Sequence, residues 1–108
     1  MANLGDGEIS IINPDDVISI YSENEKIIAR CTKGIYYLKN RLYEVEGNPP
    51  RSTFIRISNS EIVNFSKVST LDMSMAGSIT INFTNGEKTF VSRRYVEKIK
   101  NYLGVWGE

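Results

Sequence analysis

A mainly β domain closed by one C-terminal helix is the fold class that three features of this sequence predict. Short runs rich in β-branched and aromatic residues follow one another between turn residues. A clean polar–apolar alternation flanks Asn85-Gly86. After Ser92 the apolar residues change to helical spacing. The chain has 108 residues, of which 41% are hydrophobic and 24% charged, an ordinary globular mix sufficient for one core. Residues 8–104 read as a single domain, with 1–7 and 105–108 as tails.

The first half reads as a meander. "EISIIN" (8–13) and "DVISIY" (16–21) flank a Pro-Asp turn, and "KIIARCT" (26–32) and "GIYYL" (34–38) flank a Lys-Gly turn. "KNRLYEVE" (39–46) shifts to helical spacing, with Leu42 and Val45 on one side, and predicts one or two helical turns. The two prolines of "EGNPPRST" (46–53) forbid a helix or a central strand, so that stretch is a loop between halves. "TFIRI" (53–57) alternates as a half-buried strand. Ser58 followed by Glu61 has capping-box spacing, so a single helical turn is expected over 59–64.

"KVSTLD" (67–72) is the next strand, and Met73 to Gly77 a connecting loop. "SITINFT" alternates Ile79, Ile81 and Phe83 against Thr80, Asn82 and Thr84, and turns at Asn85-Gly86 into "EKTFV". A two-residue Asn-Gly loop sets Ile81 opposite Phe90 on the core face. From Ser92, read as the N-cap, Tyr95, Ile99 and Leu103 stack at four-residue steps with Val96 beside them, and Gly104 ends the helix.

Several chemistries have nothing to build on. The chain has no histidine and one cysteine, which removes the commonest general base and metal ligand and any internal disulfide. Cys31, inside "KIIARCT", suits a buried thiol. No phosphate-binding glycine motif occurs. Neither an enzyme nor a cofactor or metal site is expected, nor a small-molecule substrate. No apolar run approaches the roughly 20 residues that span a bilayer, and "MANLGDGEIS" lacks a secretory layout. A cytoplasmic protein is the expectation.

The net charge of zero averages two unlike ends. Asp6, Glu8, Asp15, Asp16, Glu23 and Glu25 stand in residues 1–25 without a base, whereas Lys88, Arg93, Arg94, Lys98 and Lys100 face only Glu97 in residues 88–100. Arg93 and Arg94 fall in the expected first turn of the helix, where the macrodipole disfavours cations by roughly 0.3–1 kcal/mol each. A bound anion would offset that penalty, since free N–H groups, a serine hydroxyl and two guanidinium forks form an anion site. The other polar signals also cluster at element ends: Lys26, then Ser58, Asn59 and Ser60, then Lys67. Nucleic-acid binding and a protein-interaction module using an exposed sheet edge both fit this pattern.

"FIRISNSEIVNFSKVSTLD" followed by "GSITINFTNGEKTFVSRRYVEKIKNYLG" resembles the LytTR family of bacterial DNA-binding domains. That family's pattern joins F-x-R-I-x-x-S-x-I-V-N, an N-G hairpin and V-S-R-R-Y; the motifs span residues 54–104, and a weaker match extends them to about 15–104. The resemblance implies an elongated antiparallel β-sandwich of about ten short strands with small helices. It implies transcription regulation by binding double-stranded promoter DNA, usually as two copies, a homodimer, on direct repeats. Loops rather than a recognition helix enter successive major grooves. Of the three base-contacting positions in such domains, one maps onto Arg94 and one onto Asn59. The third falls near Glu25 or Lys26, where some relatives use a histidine that this chain lacks. Arg93, Ser92, Ser60, Ser58 and Lys67 are similar by position to phosphate contacts. "SEIVN" and "SRRYVEKIKNYLG" look more like stand-alone members than like effector domains of response regulators. Such members often pair with a small membrane-bound inhibitor protein.

Overall fold

Two antiparallel sheets and a C-terminal helix organise the chain. The computed structural model describes residues 2–3, 9–10, 12–39, 41–45, 53–75 and 77–104. Ten short strands lie within them: β1 (Ala2–Asn3), β2 (Ile9–Ser10), β3 (Val17–Glu23), β4 (Lys26–Cys31), β5 (Gly34–Leu38), β6 (Phe54–Ser58), β7 (Glu61–Asn64), β8 (Val68–Asp72), β9 (Thr80–Phe83) and β10 (Lys88–Phe90). The helices are α1 (Leu42–Val45) and α2 (Val96–Leu103), and 3-10 turns occupy Pro14–Asp16, Phe65–Lys67 and Arg93–Tyr95. Strands β2-β1-β5-β4-β3-β7-β6 form a seven-stranded sheet and β10-β9-β8 a three-stranded one. With extents of 50 × 27 × 25 Å the molecule is elongated, in keeping with its many short strands.

Both faces of the large sheet's centre are covered, which explains why β3 and β7 read as nearly continuous apolar runs. On one face Ile18, Ile57 and Val63 pack against Ile79, against Ile81 and Phe83 of the small sheet, and against Val96 and Ile99 of α2. On the other, Leu42 and Val45 of α1 cover Val17, Ile20, Ala29, Cys31, Phe54 and Ile62. A bulge between Val17 and Ser19 lets Val17 and Ile20 share that face. Each such side chain contributes about 1.5–3 kcal/mol by leaving water. Cys31 is a core thiol; burial, with the nearby Asp16 charge second, pushes its pKa up.

Three expectations are corrected. No helical turn spans 59–64: Glu61–Asn64 is strand β7, paired with β6 and β3. Ser58 Oγ does accept a backbone N–H, but from Ser60 at 3.2 Å. Because consecutive Ile62 and Val63 are buried on opposite faces, only a pleated strand can place them. The hairpin after β9 is one residue longer than expected. Phe83 N donates to Glu87 O at 2.8 Å, and Gly86 takes φ 91°, as in a three-residue loop ending on a left-handed residue. Ile81 therefore pairs with Thr89, and the slip turns Phe90 outward to 64% exposure. Finally, Ser92 precedes a 3-10 turn rather than α2 itself and makes no side-chain capping bond. Most of the loop expected at 46–53 lies outside the described residues. Of the strand expected at 8–13, Ile9–Ser10 is described as strand, and Asn13 caps the Pro14–Asp16 turn instead.

Two polar positions, one buried and one half-buried, stand beside this core. Asn64 is 1% exposed and ties the Pro14–Asp16 turn, β3 and the residue before β6 together. At the interface of the two sheets, Thr89 Oγ1 donates to Glu61 Oε1 at 3.0 Å, and Arg30 pairs with Glu87. Burial raises the Glu61 carboxyl above its usual range, more than Thr89, Arg30 and Ser19 together lower it. Its folded pKa therefore exceeds its unfolded one. The associated stability is complete below the ordinary glutamate pKa and is lost as pH rises through the raised value. Glu61→Gln should match the native chain at acidic pH and gain on it progressively towards neutrality. Denaturant unfolding of both chains across that range checks this, and a constant difference would refute it.

Candidate nucleic-acid interface

Three turns meet at one end of the two sheets. The first is the two-residue connection between β3 and β4, where Asn24 and Glu25 have φ 51° and 65°. That is the twist a tight hairpin needs, and asparagine adopts it readily, whereas Glu25 bears a strain of order 1–2 kcal/mol. Lys26 opens the next strand, and Glu25 and Lys26 are both exposed. The second is the β6–β7 turn, with Asn59 and Ser60 exposed at its tip. Arg56 Nη1 donates to Asn59 O at 3.1 Å from beneath. The third is Ser92–Tyr95, with Arg93 and Arg94 exposed, carried by α2, whose Val96 and Ile99 are buried in the core.

These turns are bonded to one another. Ser22 N donates to Ser60 O at 2.9 Å, joining the first turn to the second, and Ser92 N donates to Ile57 O at 2.8 Å, joining the third to β6. Across the gap Tyr95 Oη donates to Asn59 Oδ1 at 3.0 Å, and Lys98 Nζ sits 5.6 Å from the centre of the Tyr95 ring. Asn59 keeps its amide N–H groups and a second lone pair on Oδ1 for a ligand. Neither Arg93 nor Arg94 forms an ion pair with a described residue.

Of the residues singled out in the sequence, Glu25, Lys26, Ser58, Asn59, Ser60, Ser92, Arg93 and Arg94 are brought together here. Lys67 is not. It ends the Phe65–Lys67 turn, where its carbonyl accepts from Thr84 N at 2.9 Å, about 13 Å of strand from Asn59. Two contributors escaped sequence reasoning. Tyr95 reads as one more member of the apolar stripe, although it alone in that stripe carries a hydroxyl, and Arg56 reads as the polar side of an alternating strand.

Tyr95→Phe removes the bond that orients the Asn59 amide. It should cost about 1 kcal/mol, roughly fivefold, in affinity for a cognate duplex and nothing on random DNA. Anisotropy titrations check this, with melting temperature as the control; equal losses on both duplexes would mean that Asn59 is not so oriented.

The geometry is thus a cationic, amide-bearing surface built from turns. The LytTr DNA-binding domain family has a model that matches residues 7–104. The chain belongs to that family. HTH-type transcriptional regulators of Staphylococcus aureus strains NCTC 8325 and COL are 40% identical to this LytTr domain over 100 residues, which is 93% of this chain and 67% of theirs. The counterpart in strain MRSA252 is 39% identical over the same length. A solved LytTr DNA-binding domain from Bacillus cereus has the same fold, with a TM-score of 0.86 over 95% of this chain and 94% of that one, at 24% identity. Membership assigns to this LytTr domain DNA binding in regulation. In it α1 and α2 are five strands apart, so among the described residues no helix pair forms a helix-turn-helix, and the exposed Asn59, Arg93 and Arg94 sit on turns.

Proposed function

We propose that this LytTr domain reads a double-stranded promoter sequence through the three bonded turns, as two copies on direct repeats with the turns entering successive major grooves. The Tyr95–Asn59 bond supports this reading most directly, because it ties the Asn59 amide to the residue that follows Arg94. Arg94 pairs with guanine O6 and N7, and Asn59 with adenine N6 and N7. At the third turn-tip position Lys26 donates to guanine, or Glu25 accepts from cytosine N4. Arg93, Ser92, Ser60 and Ser58 take phosphates that fix register, and Lys67 takes one farther along the duplex. A small membrane-bound inhibitor is the partner proposed for control of the domain.

Selection of bound sequences from random duplexes tests this directly. The expected result is a repeated motif bound far more tightly than its scrambled version at both about 50 and 200 mM salt. Recovery of no motif would exclude base reading, and no retention on any duplex at low salt would favour a protein-interaction module.

A further inference from the structure

A second cationic feature borders the bonded turns and shares Lys26 and Arg56 with them. A cleft of about 1030 Å³ opens between the β3–β4 turn, the end of β5 and α1. Ser22, Ile27 and Leu38 line it together with four cations, Lys26, Lys39, Arg41 and Arg56, and among the described residues that line it Glu25 is the single acid. Lys39 and Arg41 are exposed, and neither forms an ion pair with a described residue. Tyr37 stands on the rim with Lys26 Nζ 5.2 Å from its ring centre, and Tyr43 beside it is 68% exposed.

We propose that this cleft seats the sugar-phosphate backbone of DNA flanking the bases that the turns read, with Lys39 and Arg41 as the phosphate-contacting residues. The inference rests on the base-reading proposal above and extends its footprint. Charge is the first argument: an excess of cations in an open cleft attracts a polyanion, and the guanidinium of Arg41 and the ammonium of Lys39 suit phosphate oxygens. Continuity is the second. Lys26 belongs to the turn and to the cleft wall, and Arg56 links the cleft to the Asn59 carbonyl, so a duplex on the turns runs on over Lys39 and Arg41. Exposure is the third. A small anion would be enclosed over most of its surface, whereas the rim residues here stand in solvent, as suits a strand lying across them.

The test uses the full chain, a duplex carrying a single repeat of the motif that the chain selects from random sequence, and the same duplex trimmed stepwise from each end. Lys39→Gln/Arg41→Gln should lose roughly tenfold in affinity on the long duplex, and its salt slope should fall by about 1.8, or 0.9 for each phosphate. On a duplex trimmed from one particular end the variant should bind as the native chain does. Lys33→Gln, in the turn at the opposite end of β4, should change neither quantity. An unchanged slope in the double variant, or a loss that persists after trimming from either end, would overturn the proposal. Failure of the native chain to select any motif would instead overturn the base-reading proposal, and shows in the native arm alone.

Discussion

Asn64→Ala is expected to lower the free energy of unfolding by about 3 kcal/mol, from the loss of three or more hydrogen bonds to a buried amide at roughly 1 kcal/mol each. The Asn64 amide donates to Val17 O at 2.8 Å and Pro14 O at 3.4 Å. Its carbonyl accepts from Thr53 Oγ1 at 3.0 Å and from Ser66 N and Oγ at 3.0 and 2.8 Å. Alanine strands the buried Val17 carbonyl where water does not replace the partner, and it opens a small void as well. With a urea slope of about 1–2 kcal/mol/M, the midpoint should drop by about 1.5–3 M. Ser66→Ala, which removes one hydroxyl from the same carbonyl, should cost about 1 kcal/mol or less. A loss below about 1 kcal/mol for Asn64→Ala would show that this network is no stronger than surface bonding.

The second large effect concerns the adjacent arginines, which should separate in their behaviour. Arg94→Ala should cost about 1–3 kcal/mol on a selected duplex and little on random DNA, because a bidentate guanine contact exists only at the right base. Arg94→Lys keeps the charge but loses the fork, so most of that cost should remain. Arg93→Ala should weaken both duplexes alike and reduce the salt slope by about 0.9. Anisotropy titrations at two salt concentrations distinguish the patterns. Equal losses on both duplexes for Arg94→Ala would make it a phosphate contact instead.

Much of this was legible locally. Runs of β-branched residues mark β3 to β5, and Val96 and Ile99 mark the buried side of α2, because both periods are short-range. What escaped is decided between distant residues. The Ser58–Glu61 spacing serves a capping box and a tight turn equally well, and only pairing of β7 with β3, about forty positions earlier, selects the strand. Phe90 faces outward because Thr84 joins the hairpin loop, a choice Asn85-Gly86 leaves open until the two sheets pack. Asn64 looks like an unremarkable strand end; its partners Pro14 and Val17 lie 50 and 47 positions away. At the candidate site, the residue types of Asn59 and Arg94 are visible in sequence, but the Tyr95 bridge between them spans 36 positions.

The backbone bonds from Ser22 to Ser60 and from Ser92 to Ile57 have a kinetic consequence. Turns fastened to one another meet the duplex already shaped, so little chain has to order on arrival. On the base-reading proposal, correct and incorrect sites would then be reached at similar speeds and told apart by how long each complex survives.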